Sequence, residues 1–254
     1  MHAELLELAK KVGADAAALL MERPPAFEIE EKSTAIDIVT QMDKKAETFI
    51  VQSILAARPD DGMIGEEGAD IEGTSGITWV IDPLDGTVNY FYGLPGWNVS
   101  IAAKDKDGSV VGVVTAPTIN STWWASRGGG AYFNGSAIKA NEPVALDRAF
   151  IATGFQYDVA HRAPQIESVA RLLPIVRDIR RNGAAAVDIC TVAMGALDGY
   201  FEAGLKEWDW AAASLVATEA GAKFGQYGRA PYMTTLAAGP TLFAELEGFL
   251  NLHA

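Results

Sequence analysis

An apolar run that ends in two aspartates constrains this chain more than any other stretch. Residues 79–87 read Trp79-Val80-Ile81-Asp82-Pro83-Leu84-Asp85-Gly86-Thr87. The first three residues spell a buried strand. The next four place two carboxylates three positions apart, around a proline whose ring fixes the backbone between them. Carboxylates brought together at the end of a core strand repel one another unless cations neutralise them. Any fold for this chain has to meet that charge where the strand ends.

The 254 residues suffice for one large domain or two closely packed halves, and for a sizeable core. The formal net charge of -13 argues against nucleic-acid backbone or an anionic membrane as the main partner. The single cysteine, Cys190, sits in an apolar run and reads as a small buried hydrophobe. No stretch approaches the ~20 apolar residues of a membrane span. Charges interrupt every apolar run of the first 25 residues, unlike a signal peptide. These features predict a cytoplasmic protein.

Leu5, Leu8, Val12, Ala16 and Leu19 fall at helical spacing before Pro24-Pro25 and predict a first helix. The segment from Ser33 to Thr40 reads as a loop entering a short extended piece. A second helix is expected from about Asp43, with Asp43 as its cap, to Pro59. Residues 62–70 read as a short apolar entry and a tight acidic loop. Residues 76–82 read as a strand, and 99–117 as a hairpin around Asp107-Gly108. Short strands with glycine turns follow to residue 140. The Gly128-Gly129-Gly130 run lacks the lysine and the strand-loop-helix context of a nucleotide loop. Beyond residue 149 a strand is expected at 149–155, and a helix across 162–181 despite Pro174. A small-residue helix then runs into a strand over 184–204. Two more helices are expected, one from Asp209 to Gly221 and one over 241–252. The order is α then β in the first part, and alternating α and β in the second.

His2, His161 and His253 have no metal-ligand neighbour at useful spacing, which argues against an imidazole metal site and a Ser-His-Asp triad. No histidine is evident to activate Cys190. What remains is carboxylate: Glu66 and Glu67 in a loop, Asp82 and Asp85 at a strand end, Asp209 at a helix start. Taken singly, each has a plain reading. Asp209 could be an N-cap, Glu66-Glu67 a solvated loop and Asp85 a turn residue. Together they form an all-oxygen donor set, which suits a hard cation such as Mg²⁺. Two such ions can clamp the attacking and leaving oxygens of phosphoryl transfer. Pro83 also holds the Leu84 carbonyl in a defined direction.

Three stretches, residues 65–69 (GEEGA), 79–95 (WVIDPLDGTVNYFYGLP) and 208–222 (WDWAAASLVATEAGA), resemble the three signatures of the inositol monophosphatase family. The resemblance extends over nearly the whole chain and looks most like the bacterial inositol-1-monophosphatase branch. It implies a five-layer αβαβα sandwich of the sugar-phosphatase type. It implies one catalytic unit over 1–254, with an α+β half over about 1–145 and an α/β half over about 146–254. The implied activity is lithium-sensitive hydrolysis of a small phosphate monoester, with two to three Mg²⁺ ions per chain. Carried over residue by residue, Glu66, Asp82 and the Leu84 carbonyl would bind one ion. Asp82, Asp85 and Asp209 would bind a second, and a weaker third would lie near Glu66.

The same resemblance assigns the remaining site residues. Thr87, paired with Asp43, would orient the attacking water, while Gly86 and Thr87 would offer N–H groups to the phosphate. Ala185, Glu202 and Asp209 would face the alcohol half of the substrate. Lys32 and Asp37 would belong to a mobile loop by the third ion. Val88-Asn89, Gly68 and Ala213 depart from the family's common residues without removing a side-chain ligand. The expected substrate is myo-inositol 1-phosphate. Fructose 1,6-bisphosphate, histidinol phosphate and 3′-phosphoadenosine phosphate are the alternatives within the enzyme class. A protein that binds transcription or RNA machinery is the alternative outside it. A homodimer is expected, with no membrane partner and no direct nucleic-acid contact.

Overall fold

The computed structural model describes residues 2–32, 34, 36–230 and 232–250. Ser33 and Ala35 of the expected loop, His253, and the last two residues of the expected terminal helix lie outside that set.

The chain opens with helix α1 (His2–Met21), whose Leu5, Ala9, Val12, Ala16 and Leu20 form one buried stripe. A ribbon of β1 (Ile29–Glu31) and β2 (Ile38–Thr40) leads into α2 (Gln41–Ala57). The cap of α2 differs from expectation. Thr40 is the N-cap, and Asp43 is the third helical residue of a capping box. The Asp43 carboxylate accepts the Thr40 N–H at 2.8 Å, and Met42 N–H donates to Thr40 Oγ1 at 3.2 Å.

An eight-stranded sheet follows. It comprises β3 (Gly62–Gly65), β4 (Asp70–Ile71), β5 (Thr78–Asp85), β6 (Asn98–Asp105), β7 (Gly108–Ala116), β8 (Ser121–Ser126), β9 (Ala131–Phe133) and β10 (Ser136–Ala137). Its order is β10-β9-β8-β7-β6-β5-β3-β4, antiparallel except for the β3–β5 pair. The central strand β5 runs through Pro83 to Asp85. Asp82 pairs with Ser100 and Asp85 with Asn98, so an extra residue bulges out between them. Proline is tolerated at such an irregularity because the ladder is already broken there. A bulge also re-aims the side chains around it, here both aspartates. The short helix α3 (Thr87–Tyr92) starts at once. The turn into it needs Gly86, with φ +86°, where a Cβ would also crowd Ala184 and Trp97 at 3.3 Å.

The second sheet contains β11 (Phe150–Thr153), β12 (Asp178–Arg180), β13 (Gly199–Ala203), β14 (Lys223–Tyr227) and β15 (Thr234–Ala238), in the order β12-β11-β13-β15-β14. Four helices flank it: α4 (Val159–Leu172), α5 (Ala185–Ala193), α6 (Glu207–Glu219) and α7 (Pro240–Phe249). The long helix expected over 162–181 is shorter. Asp158 caps α4, the helix ends before Pro174, and residues 178–180 pair in parallel with β11. Pro164 is accommodated inside α4, so a proline alone does not exclude helix here, and Pro174 falls beyond the last helical residue, Leu172. Asp178–Arg180 gains ladder partners instead.

The packing makes five layers. Helices α1 and α2 cover one face of the large sheet, and α5 and α6 lie between the two sheets. Helices α4 and α7 close the far side of the small sheet. The middle layer is alanine-rich, with Ala184, Ala185, Ala186, Ala211, Ala212 and Ala213 all buried. Small side chains let the backbones approach. A Cβ at Gly112 of β7 would lie 2.5 Å from the Ala212 carbonyl oxygen. This close fit brings the N-termini of α5 and α6 up to the bulged end of β5.

Candidate active site

The bulge, the acidic loop after β3, and the starts of α3, α5 and α6 open on one cavity of about 560 Å³. Glu66, Asp82, Leu84, Asp85, Gly86, Thr87, Ala185, Glu202 and Asp209 all line it. Nine residues singled out from the sequence, up to 143 positions apart, therefore share one space. Lys32 and Asp37 line it too. Asp43 lies just behind Thr87, in hydrogen-bonding contact with it.

Each carboxylate is held differently. Asp82 is buried and accepts the Leu84 N–H at 3.0 Å. Burial, with Glu66, Asp85 and Asp209 around it, pushes its pKa well above the usual carboxylate value. Asp85 Oδ2 accepts Asn98 Nδ2 at 2.8 Å and the Ala186 N–H, in the first turn of α5, at 2.9 Å. Those bonds and the helix end offset part of its burial, and its pKa rises only to about 6. Asp209 is the third residue of α6, and its carboxylate accepts the Lys206 N–H at 2.6 Å. The plain N-cap reading of Asp209 is thus off by three positions, because Lys206 holds the cap. Burial and the Glu66 charge raise the Asp209 pKa well above normal.

Glu66 meets the Lys32 ammonium at 2.8 Å, and Lys32 reaches Glu67 at 2.5 Å. Burial works against that ammonium, but the two glutamates more than compensate and its pKa is raised. Thr87 Oγ1 lies 2.9 Å from Asp43 Oδ1 and 3.1 Å from the Leu84 carbonyl oxygen. The hydroxyl has one proton to give. Donated to Asp43, it leaves the Thr87 lone pairs and the Leu84 carbonyl available to the cavity.

The cavity also holds Glu202, expected from the sequence, and three groups that sequence reasoning missed, Asp188, Arg181 and Tyr157. Glu202 accepts a 2.5 Å hydrogen bond from the Tyr200 hydroxyl. Burial raises its pKa to about 7 against the pull of Tyr200 and Arg181. Asp188 is buried on α5, accepts Asn182 Nδ2 at 2.6 Å, and is raised to about 7 by burial. Arg181 and Tyr157 line the cavity as well. An aspartate inside the apolar run Ala-Ala-Val-Asp188-Ile-Cys was a readable signal, since such a residue is rarely buried without a role. Arg181 and Tyr157 carried no such signal.

Among the described residues, no three His, Cys, Asp or Glu side chains stand gathered as a ready-made metal cage. The donor set nevertheless fits a hard divalent ion. It offers carboxylate and carbonyl oxygens only, with no sulfur or imidazole, and the charges of Glu66 and Asp85 raise the pKa values of Asp82 and Asp209 across one cavity.

Comparison with known proteins agrees with this geometry. A family model described as the inositol monophosphatase family matches residues 1–245. The chain belongs to that family. It is 39% identical over 241 residues to an inositol-1-monophosphatase of Mycobacterium leprae, covering 88% of this chain and 83% of that one. It is 40% identical over 226 residues to the Nus factor SuhB of Escherichia coli, covering 87% and 84%. Its fold matches the extragenic suppressor protein suhB of Bartonella henselae with a TM-score of 0.91 at 31% identity, over 97% of this chain and 98% of that chain. The layered sandwich is the fold of the family, and the chain is a phosphoric monoester hydrolase. The family is generally metal-dependent, and its substrates are small phosphate esters.

Proposed function

We propose that this chain hydrolyses polyol phosphate monoesters, myo-inositol 1-phosphate foremost, with Mg²⁺ as its resident ion. The observation that carries the reading is the cavity itself. Glu66, Asp82, Asp85, Asp209 and Glu202 line it together with Thr87, whose hydroxyl is bonded to Asp43.

Glu66, Asp82 and the Leu84 carbonyl would hold one ion. Asp82, Asp85 and Asp209 would hold a second, and a weaker third, linked to lithium sensitivity, would sit near Glu66. When bound, the ions supply positive charge to the phosphate and make a water acidic enough to attack it. The chain's own groups do the rest. Thr87, with its proton committed to Asp43, accepts a hydrogen bond from the attacking water and orients it. The Gly86 and Thr87 N–H groups, at the start of α3, face the phosphate oxygens. Ala185 packs against the alcohol half. Glu202 uses one oxygen for Tyr200 and offers the other to a substrate hydroxyl. Cys190 is buried with its thiol pKa raised well above normal, so water and no cysteine makes the attack.

The family resemblance favours a homodimer, and the sequence a cytoplasmic one; among the described residues no helix is long and apolar enough to cross a membrane. Phosphate release from inositol 1-phosphate, fructose 1,6-bisphosphate, histidinol phosphate and 3′-phosphoadenosine phosphate, each with Mg²⁺, tests the reading. The highest kcat/KM is expected for the inositol ester, and a higher value for any other would reassign the substrate.

One finding favours a second reading, contact with transcription machinery. A 40% identical relative bears the name Nus factor. The net charge of -13 points such contact toward protein and away from RNA. Salt-sensitive RNA binding by the purified chain would reverse that preference.

A further inference from the structure

Helix α2 carries a second carboxylate on the face that bears Asp43. Glu47 is one turn further along and only 6% exposed. It is a charged residue on the helix face that otherwise buries Met42, Ala46, Ile50 and Ile54 in the core. A charge at such a position needs full hydrogen bonding to be tolerated. Its partners are two backbone N–H groups of the acidic loop. Glu67 N–H donates to Oε2 at 2.8 Å, and Ala69 N–H donates to Oε1 at 2.9 Å.

The loop is tied at its other corners as well. Gly65 N–H donates to the Ala69 carbonyl at 2.7 Å, and Glu66 N–H to the Ile81 carbonyl at 3.2 Å. Glu66 therefore sits between a bond to β5 and the two bonds to Glu47. The backbone of Gly65 passes so near the clamp that a Cβ there would lie 2.3 Å from Glu47 Oε2. Space, charge and hydrogen bonding all converge on this one carboxylate.

We infer that Glu47 is a positioning residue for the cation site: by clamping the Glu67 and Ala69 amides it holds Glu66 at the orientation an ion requires. This rests on the reading of Glu66 as an ion ligand. With Asp43 on the same rigid helix bonded to Thr87, α2 fixes the spacing between the ion end of the site and the water-orienting pair. Glu47→Gln keeps the size and loses half the clamp, since its NH₂ would face an N–H. Gly65→Ala perturbs the same clamp from the other side and leaves Glu47 intact. Gly65 does not adopt a positive φ, so alanine suits the backbone there.

The test is Mn²⁺ binding followed by the electron paramagnetic resonance of the free ion. It is combined with amide hydrogen exchange at Glu67 and Ala69 and with kcat at saturating Mg²⁺. Glu66→Gln serves as the reference variant. Both clamp variants are expected to weaken Mn²⁺ binding by about tenfold or more. They should speed exchange at the two amides and change kcat at saturating ion much less. If Glu66→Gln weakens Mn²⁺ binding and both clamp variants bind within about twofold of the unaltered chain, Glu47 is structural and the inference fails alone. If Glu66→Gln itself leaves binding unchanged, the reading of Glu66 as a ligand fails and the inference falls with it.

Discussion

Asp61 and Asp82 are buried to the same degree, each 1% exposed, near opposite ends of the β3–β5 pair. Asp61 is surrounded by donors. Arg58 reaches it twice, at 2.8 and 3.0 Å, Ser75 Oγ at 2.5 Å and Trp79 Nε1 at 2.9 Å. Burial acts to raise its pKa, but these bonds together bring it below the usual value. Asp82 has one backbone N–H and three carboxylates nearby, and its pKa is raised. The chain compensates the first charge from within. It does not do so for the second, and on the proposed function that charge is left to a bound ion, which is how a structural carboxylate and a proposed ligand would differ in a single fold.

The largest effect expected from this contrast is that of the ion. Removing divalent cations with excess chelator should abolish phosphate release, and Mg²⁺ should restore it. Full activity in chelator would erase the distinction between the two aspartates. Chelator should also expose a pH dependence of stability. Asp82, Asp85 and Asp209 have folded pKa values above that of an ordinary aspartate. Their contribution to stability is thus present below about pH 4 and lost as pH rises through their folded values, near 6 for Asp85. The thermal midpoint in chelator should fall across that window and recover with Mg²⁺. Asp61, with its lowered pKa, contributes in the opposite sense. Its stabilisation is present above the unfolded pKa and fades as pH falls through the folded one.

Next in size is Asp82→Asn. With Asp82 as the proposed ligand shared by two ions, its loss should lower kcat/KM by about 10³-fold or more, at ~1.4 kcal/mol per factor of ten. In chelator at neutral pH the same variant should melt no lower than the parent, since it removes a repelled charge. A loss within about tenfold would show that the shared ligand lies elsewhere.

Glu202 is an intermediate case that sharpens the contrast: one oxygen is satisfied by Tyr200, and the other faces the cavity. Glu202→Gln should raise KM for inositol 1-phosphate by about 10- to 100-fold, through loss of a charge-assisted bond of about 1.5–3 kcal/mol. Hydrolysis of a simple aryl phosphate should hardly change. Equal losses on both substrates would make Glu202 a support of the fold.

The smallest catalytic effect belongs to Asp61→Asn. It should cost about 1–3 kcal/mol of stability in denaturant melts by leaving Arg58, Ser75 and Trp79 short of an acceptor. It should not alter kcat while the protein is folded. A large kcat defect with an unchanged melting curve would mean that the ends of β5 are coupled.

Much of this molecule is determined by the sequence itself. The stripe of α1, the β6–β7 hairpin, the strand that runs into Asp82 and the motif carboxylates are all spelled in residues adjacent or one turn apart, where local geometry dictates which side chains share a face. Other features exist only in three dimensions. Asp85 meets the N-terminus of α5 about a hundred residues away. Lys32 reaches Glu66, Glu47 clamps a loop twenty residues downstream, and Arg181 and Tyr157 join the carboxylates in lining one cavity. The capping residues of α2 and α6, the bulge at Pro83 and the short parallel strand after Pro174 were likewise settled by packing. Local spacing encodes an element's periodicity. Its ends, and the partners its polar groups find, depend on which other elements come within hydrogen-bonding reach, and in this chain that is decided when the alanine-rich layer brings α5 and α6 close between the two sheets.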